Sequence, residues 1–104
     1  MPAILVITTA PDLKTAQWLA KSLVQKKLAA CVSFKGGFTS FYRWKGKIDR
    51  AREAVLFIKS SRAKFAKIKQ HVCRVHPYEV PELIAVSISR GSSEYLAWLA
   101  QSLK

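Results

Sequence analysis

The stretch Phe38-Thr39-Ser40-Phe41-Tyr42-Arg43-Trp44-Lys45-Gly46-Lys47-Ile48 decides the fold, because it reads as two extended arms joined by a tight turn. Lys45-Gly46 is the only tight-turn signal in this part of the chain. Upstream, Leu28 to Phe34 reads as a strand, and Gly36-Gly37 interrupts it as a bulge or bend. Downstream, Lys47 to Lys59 continues extended, with Val55-Leu56-Phe57-Ile58 as core strand. The spacing therefore predicts one long, bent hairpin over residues 29–59. At about 3.3 Å per residue, arms of about 15 residues run near 50 Å, against about 17–20 Å for an ordinary strand. Arms that long overhang a small domain, and the tip aromatics Phe38, Phe41, Tyr42 and Trp44 stay exposed unless another subunit covers them. Oligomerisation through the hairpin is the expectation.

Working outward, residues 3–9 form an apolar run with the pattern of a strand buried on both faces. Asp12 is a good N-cap. Ala16, Leu19, Ala20, Leu23 and Val24 follow at the spacing of one helix face, predicting a helix over 13–26. After the hairpin, Ser60 or Ser61 is positioned to cap a second helix carrying Phe65, Ile68, Val72 and Val75. Leu83–Ser89 alternates Ile84, Val86 and Ile88 with small residues, predicting a half-buried strand, and Ser92 starts a short last helix with Tyr95, Trp98, Leu99 and Leu103. The order βαββαβ plus a C-terminal helix implies an α+β class: a ferredoxin-like split-βαβ sandwich, one domain over residues 1–104.

Half of the 104 residues are hydrophobic, which argues against disorder. No apolar stretch approaches the roughly 20 residues that span a bilayer, and the N-terminal run lacks the features of a signal peptide. Cytoplasmic residence without membrane attachment is the expectation. Cys31 and Cys73 are too few for a disulfide scaffold and read as buried, unpaired thiols. Eighteen Lys and Arg against six Asp and Glu give a net charge of +12, which favours polyanions or small anionic ligands as partners and says nothing of the fold.

The segment His76-Pro77-Tyr78-Glu79-Val80-Pro81-Glu82 holds an imidazole, a phenol and two carboxylates between prolines that stiffen the chain. Held polar groups are what a binding site needs, and what a plain helix-to-strand connector also shows. Copper and similar ions want three or four thiolate or imidazole ligands. His71 and Cys73 point about 200° apart on a helix, so they make a poor pair. His76 and Glu79, joined by Cys31 or by a neighbouring subunit's carboxylate, make the better metal set, with His76 as a hydrogen-bonded interface residue the alternative. A second candidate is an intersubunit cleft lined by Tyr42, Trp44, Lys59, His76, Tyr78 and Glu79, in which Lys59 either meets a small anion or pairs with Glu79 or Glu53. No nucleophile–base motif, phosphate-binding glycine loop or zincin signature points to an enzyme. RNA-recognition modules stack bases on central-strand aromatics, and strand 53–59 offers only Phe57, so dedicated nucleic-acid recognition is not expected.

Several motifs in order give the chain a resemblance to the CutA family of divalent cation tolerance proteins. They are Thr9-Ala10-Pro11-Asp12, Leu28-Ala29-Ala30-Cys31-Val32, Ser40 to Ile48, Leu56-Phe57-Ile58-Lys59-Ser60, His76 to Glu82, and Tyr95-Leu96-Ala97-Trp98. The resemblance implies a tight homotrimer, similar to the PII signalling proteins, with hairpins pairing between subunits. It further implies a loose, non-obligatory association with copper or another divalent cation. Copper-binding members carry a cysteine before the Thr-Ala-Pro-Asp motif and a His-His pair before the Pro-Tyr. This chain has Thr8 and Val75 there, so only His76 remains. A trimeric metal-tolerance or metal-response protein is the function implied. A PII-like hub binding a small anion is the alternative.

Overall fold

The computed structural model describes residues 1–104. Its elements are β1 (Ala3–Ala10), α1 (Leu13–Gln25), β2 (Cys31–Trp44), β3 (Lys47–Ser61), a single 3-10 turn (Arg62–Lys64), α2 (Phe65–Val75), β4 (Leu83–Ser87) and α3 (Ser93–Ser102). The strands form one antiparallel sheet in the order β2-β3-β1-β4. That is the ferredoxin-like order expected, with the two sequence-distant strands β1 and β3 central.

The hairpin is as long as its sequence requires. β2 has 14 residues and β3 has 15, and they set the 45 Å long axis of a molecule only 25 by 23 Å across it. Trp44 pairs with Lys47, so the loop is two residues, Lys45 (φ 51°) and Gly46 (φ 78°), both left-handed as a primed hairpin turn demands. Register slips once, between Lys35 and Phe38, where Gly37 (φ 85°) supplies the backbone an L-residue resists. Beyond that bulge no helix lies beneath the arms.

Two helices, α1 and α2, cover one face of the sheet. Asp12 caps α1 by accepting from the Thr15 N–H at 2.7 Å, and α1 buries Ala16, Leu19, Ala20 and Leu23. α2 adds Ile68 and Val72, and the sheet answers with Val6, Leu56 and Ile58, each fully buried. α3 closes a smaller cluster, Leu99 and Leu103 on Ala3 and Ala30. Cross-strand pairing puts Leu5, Ile7, Phe57, Ile84 and Val86 on the opposite face, where α3 covers only the end at Ala3.

Three local expectations are corrected. Neither serine caps the second helix: Ser60 is buried and donates to the Leu28 carbonyl at 2.6 Å, while Ser61 precedes the 3-10 turn without a side-chain bond. Ile84 and Val86 are about half exposed, because β4 is an edge strand and on their side of the sheet α3 reaches only Ala3 and Ile88. Cys73 is exposed and Cys31 half-buried, so neither is the buried thiol expected, though both are free.

Between α1 and α2 lies a buried His71, its Nε2 2.8 Å from Ser22 Oγ. Burial first, then the charges of Lys26 and Arg74, hold its pKa below 6.5. A histidine depressed in the folded state takes up its proton more readily when unfolded, so the stability it supports is present above pH 6.5 and lost as the pH falls below it. Urea midpoints measured from pH 7.5 to 5 should decline in the wild type and decline less in His71→Gln. Equal slopes would remove His71 from that account.

Candidate functional site

The connector from α2 to β4 is a strap stitched across the end of β1. His76 Nδ1 accepts from the Tyr78 N–H at 3.1 Å, which places the ring proton on Nε2, donated to the Thr9 carbonyl at 2.6 Å. Thr8 Oγ1 donates to the Glu82 carbonyl at 2.6 Å. His76 and Thr8 are both buried. Pro77 and Pro81 stiffen what these bonds anchor.

The strap faces the overhanging hairpin across a cleft of about 790 Å³, lined by Thr9, Ser40, Phe41, Tyr42, Trp44, Asp49, Glu53, Tyr78, Glu79, Val80, Pro81 and Glu82. The ladder explains the hairpin's share. Tyr42 opposes Asp49 and Phe38 opposes Glu53, and a strand alternates faces, so Ser40, Tyr42, Trp44, Asp49 and Glu53 stand on one side. Tyr78 closes the cleft from the strap, donating to Glu53 Oε2 at 3.2 Å. Burial and the Glu53 carboxylate raise the Tyr78 phenol to about 12.

Charge distinguishes this cleft from the rest of the surface. Four of the six carboxylates in the chain line it, and none of the eighteen Lys and Arg does. Glu53 is only 8 % exposed. Tyr42, Trp44 and Tyr78 supply aromatic wall. The arrangement concentrates negative potential over electron-rich rings, which suits a cation and repels an anion.

Tyr42, Trp44, Tyr78 and Glu79 thus come together as the sequence suggested. Lys59 does not join them. It pairs across the sheet with Cys31 and Leu5, its Nζ 3.4 Å from Ser33 Oγ, ten residues or about 33 Å along β3 from Asp49. Neither expected partner, Glu79 or Glu53, is its neighbour. Cys31 is likewise remote: Thr9, which holds His76, pairs with Val55, about 13 Å of strand away from the Lys59–Cys31 pair. Both ring nitrogens of His76 are engaged, and no three His, Cys, Asp or Glu side chains of one chain gather as a ligand set. A soft-ligand copper centre does not fit the residues of one chain.

Asp49, Glu53 and Glu82 were missed from the sequence. The signal was present for the first two: a two-residue turn at Lys45-Gly46 fixes the register, and counting from it places Asp49 opposite Tyr42. The strap fold that brings Glu82 in depends on Thr8 and Thr9, which no local pattern announces.

A phenol whose folded pKa is raised from 10.0 to about 12 supports stability below pH 10.0 that is lost as the pH rises through 12. Tyr78→Phe should therefore unfold at lower denaturant at neutral pH, by about 1–2 kcal/mol for the lost bond to a buried carboxylate. It should also lose less stability than wild type between pH 10 and 12. Parallel pH profiles would contradict the assignment.

An antiparallel ferredoxin-like sheet with an overlong hairpin and an acidic cleft at its root defines a class, and comparison with known proteins gives the family. The family model described as "CutA1 divalent ion tolerance protein" matches residues 4–102, and the chain belongs to that family. It is 42% identical over 97 residues to the divalent-cation tolerance protein CutA of Thermus thermophilus, covering 93% of this chain and 94% of that protein. It is 41% identical over its full length to the chloroplastic protein CutA of Arabidopsis thaliana, of which it spans 57%. Among solved structures, CutA1 from Oryza sativa superposes with a TM-score of 0.97 at 38% identity, covering 100% of this chain and 95% of that one. The periplasmic divalent cation tolerance protein CutA of Archaeoglobus fulgidus gives 0.95 at 37%, covering 98% and 99%.

Proposed function

We propose that this chain acts as a non-enzymatic homotrimer in the response to divalent cations, its cleft drawing cations in through Asp49, Glu53, Glu79 and Glu82. The observation that carries this reading is the gathering of four of six carboxylates, with no basic residue, on one cleft of a +12 protein. Oxygen donors without thiolate or free imidazole favour hard or hydrated ions over copper, and dispersed carboxylates hold them weakly. His76 serves as the anchor of the strap that presents Tyr78, Glu79 and Glu82. Relatives named for divalent-cation tolerance support the same direction. The acidic lining disfavours the small-anion hub.

Trimerisation is supported by what a single chain leaves bare: Phe41 68 %, Ile48 71 %, Ile84 50 % and Val86 49 % exposed, with both sheet edges, β2 and β4, unpaired. No helix is long and apolar enough to cross a membrane. Free Cys31 and Cys73 suit a reducing compartment such as the cytoplasm.

Calorimetric titration with Mn²⁺ and Cu²⁺ tests the reading. A weak, salt-sensitive signal with Mn²⁺ should fall about tenfold or more in Glu53→Gln/Glu79→Gln. A stoichiometric Cu²⁺ signal untouched by those changes, or no signal with either ion, would sink it.

A further inference from the structure

The +12 charge is not spread evenly, and the acidic cleft accounts for none of it. Neither α1 nor α2 contains an acidic residue. Lys14, Lys21, Lys26 and Lys27 lie on or just beyond α1, and Arg62, Lys64, Lys67, Lys69 and Arg74 on α2 and its lead-in turn. All are exposed except Lys64, which is half-buried. The one carboxylate nearby, Asp12, is taken up by the α1 N-terminus.

Where the two helices meet lies an aromatic platform. Trp18 is 51 % exposed, and its ring stacks on His71 with centroids 5.8 Å apart and an interplanar angle of 20°. The contact with Ser22 holds His71 in place beneath it. Lys26 follows Ser22 by four residues and Arg74 follows His71 by three, so each lies one helical turn from the Ser22–His71 contact. Positive charge from two elements thus flanks the His71 ring on which Trp18 stacks.

We infer that the α1–α2 seam docks single-stranded nucleic acid without sequence preference, one base stacking on Trp18 while Lys26, Arg74 and their neighbours meet phosphates. Base–aromatic stacking combined with a cationic track is how sequence-tolerant single-strand binders work. This surface is not the sheet face that RNA-recognition modules use, so the scarcity of strand aromatics does not bear on it. An anionic membrane is the lesser fit. At about 100° per residue the middle of the exposed arc of α1 holds Lys21 and Lys14, with Leu13, Val24 and Trp18 only at its margins, so there is no apolar stripe to insert. The α1 and α2 helices lie opposite the sheet face that bares Ile84 and Val86, so trimerisation through that face and the hairpins leaves the seam open. The inference is independent of what the cleft holds.

Fluorescence anisotropy of a labelled oligothymidylate, at near-physiological salt and with inorganic polyphosphate and anionic vesicles as competitors, tests it. Trp18→Ala should weaken oligonucleotide binding about 5- to 100-fold and leave polyphosphate competition unchanged, while Trp18→Phe retains most of the affinity. Lys26→Ala/Arg74→Ala should reduce the slope of log K against log salt by about 1.4, whereas Lys45→Ala/Lys47→Ala, with the same change in charge, should leave it unaltered. Equal effects of the two double variants would reduce the binding to net charge and overturn the proposal. So would a Trp18→Ala variant that loses polyphosphate and oligonucleotide alike, vesicle binding stronger than oligonucleotide binding, or no saturable binding.

Discussion

His76→Ala should destabilise the chain by about 2–4 kcal/mol, seen as a loss of roughly 10–20 °C in thermal midpoint for a domain of this size. The side chain is 8 % exposed and both ring nitrogens are bonded to the backbone, at Thr9 and Tyr78. Alanine leaves a buried carbonyl and an N–H without partners and opens a cavity where the ring stood, 4.7 Å from the ring of Tyr78. The strap then loses one of its two ties to β1, the other being Thr8 to Glu82. Divalent-cation affinity should weaken as a consequence, because Tyr78, Glu79 and Glu82 are no longer held against the hairpin. Thermal melts beside the ion titration separate this from ligation: a variant that keeps wild-type stability but loses all ion binding would make His76 a ligand instead.

The second large effect concerns assembly. Phe41→Asp/Ile48→Asp should convert the proposed trimer to a folded monomer. Both side chains project from the overhang at 68 % and 71 % exposure, where they make no core contact within their own chain. Their replacement therefore costs the isolated fold little. Buried in an interface, each apolar side chain contributes on the order of 1.5–3 kcal/mol, and a carboxylate in its place adds a desolvation penalty of several more, repeated in every subunit. Circular dichroism should stay native while the mass drops threefold. A variant that unfolds instead would place these residues in the core, and an unchanged trimer would place the interface elsewhere.

The scaffold was legible because it rests on local signals. The apolar run of β1, the 3.6-residue spacing of Ala16, Leu19, Ala20 and Leu23, and the Lys45-Gly46 turn each specify one element, and the hairpin's length follows by counting. The 3-10 turn before α2 was not legible, because Ser60 and Ser61 carry a capping composition that the tertiary contact to Leu28 overrides. The half-exposed Ile84 and Val86 look like core residues in a sequence, and only the placement of α1 and α2 on the other face of the sheet explains why they are left bare. At the site, residues near one another in sequence, Tyr78 and Glu79 or Tyr42 and Trp44, were found together. Lys59 and Cys31 were misplaced because a motif says nothing of how far along a 15-residue strand it sits from the cleft. The acidic character of the cleft was hidden by the overall +12, since net charge reports a sum and a site responds to local charge.

Sedimentation equilibrium of the wild-type chain at micromolar concentration bears most directly on the account, in which overlong arms leave apolar surface that only further copies cover. The predicted result is a single species of three times the 11.7 kDa chain mass. A stable 11.7 kDa monomer, with Phe41 and Ile48 left in water, would contradict it.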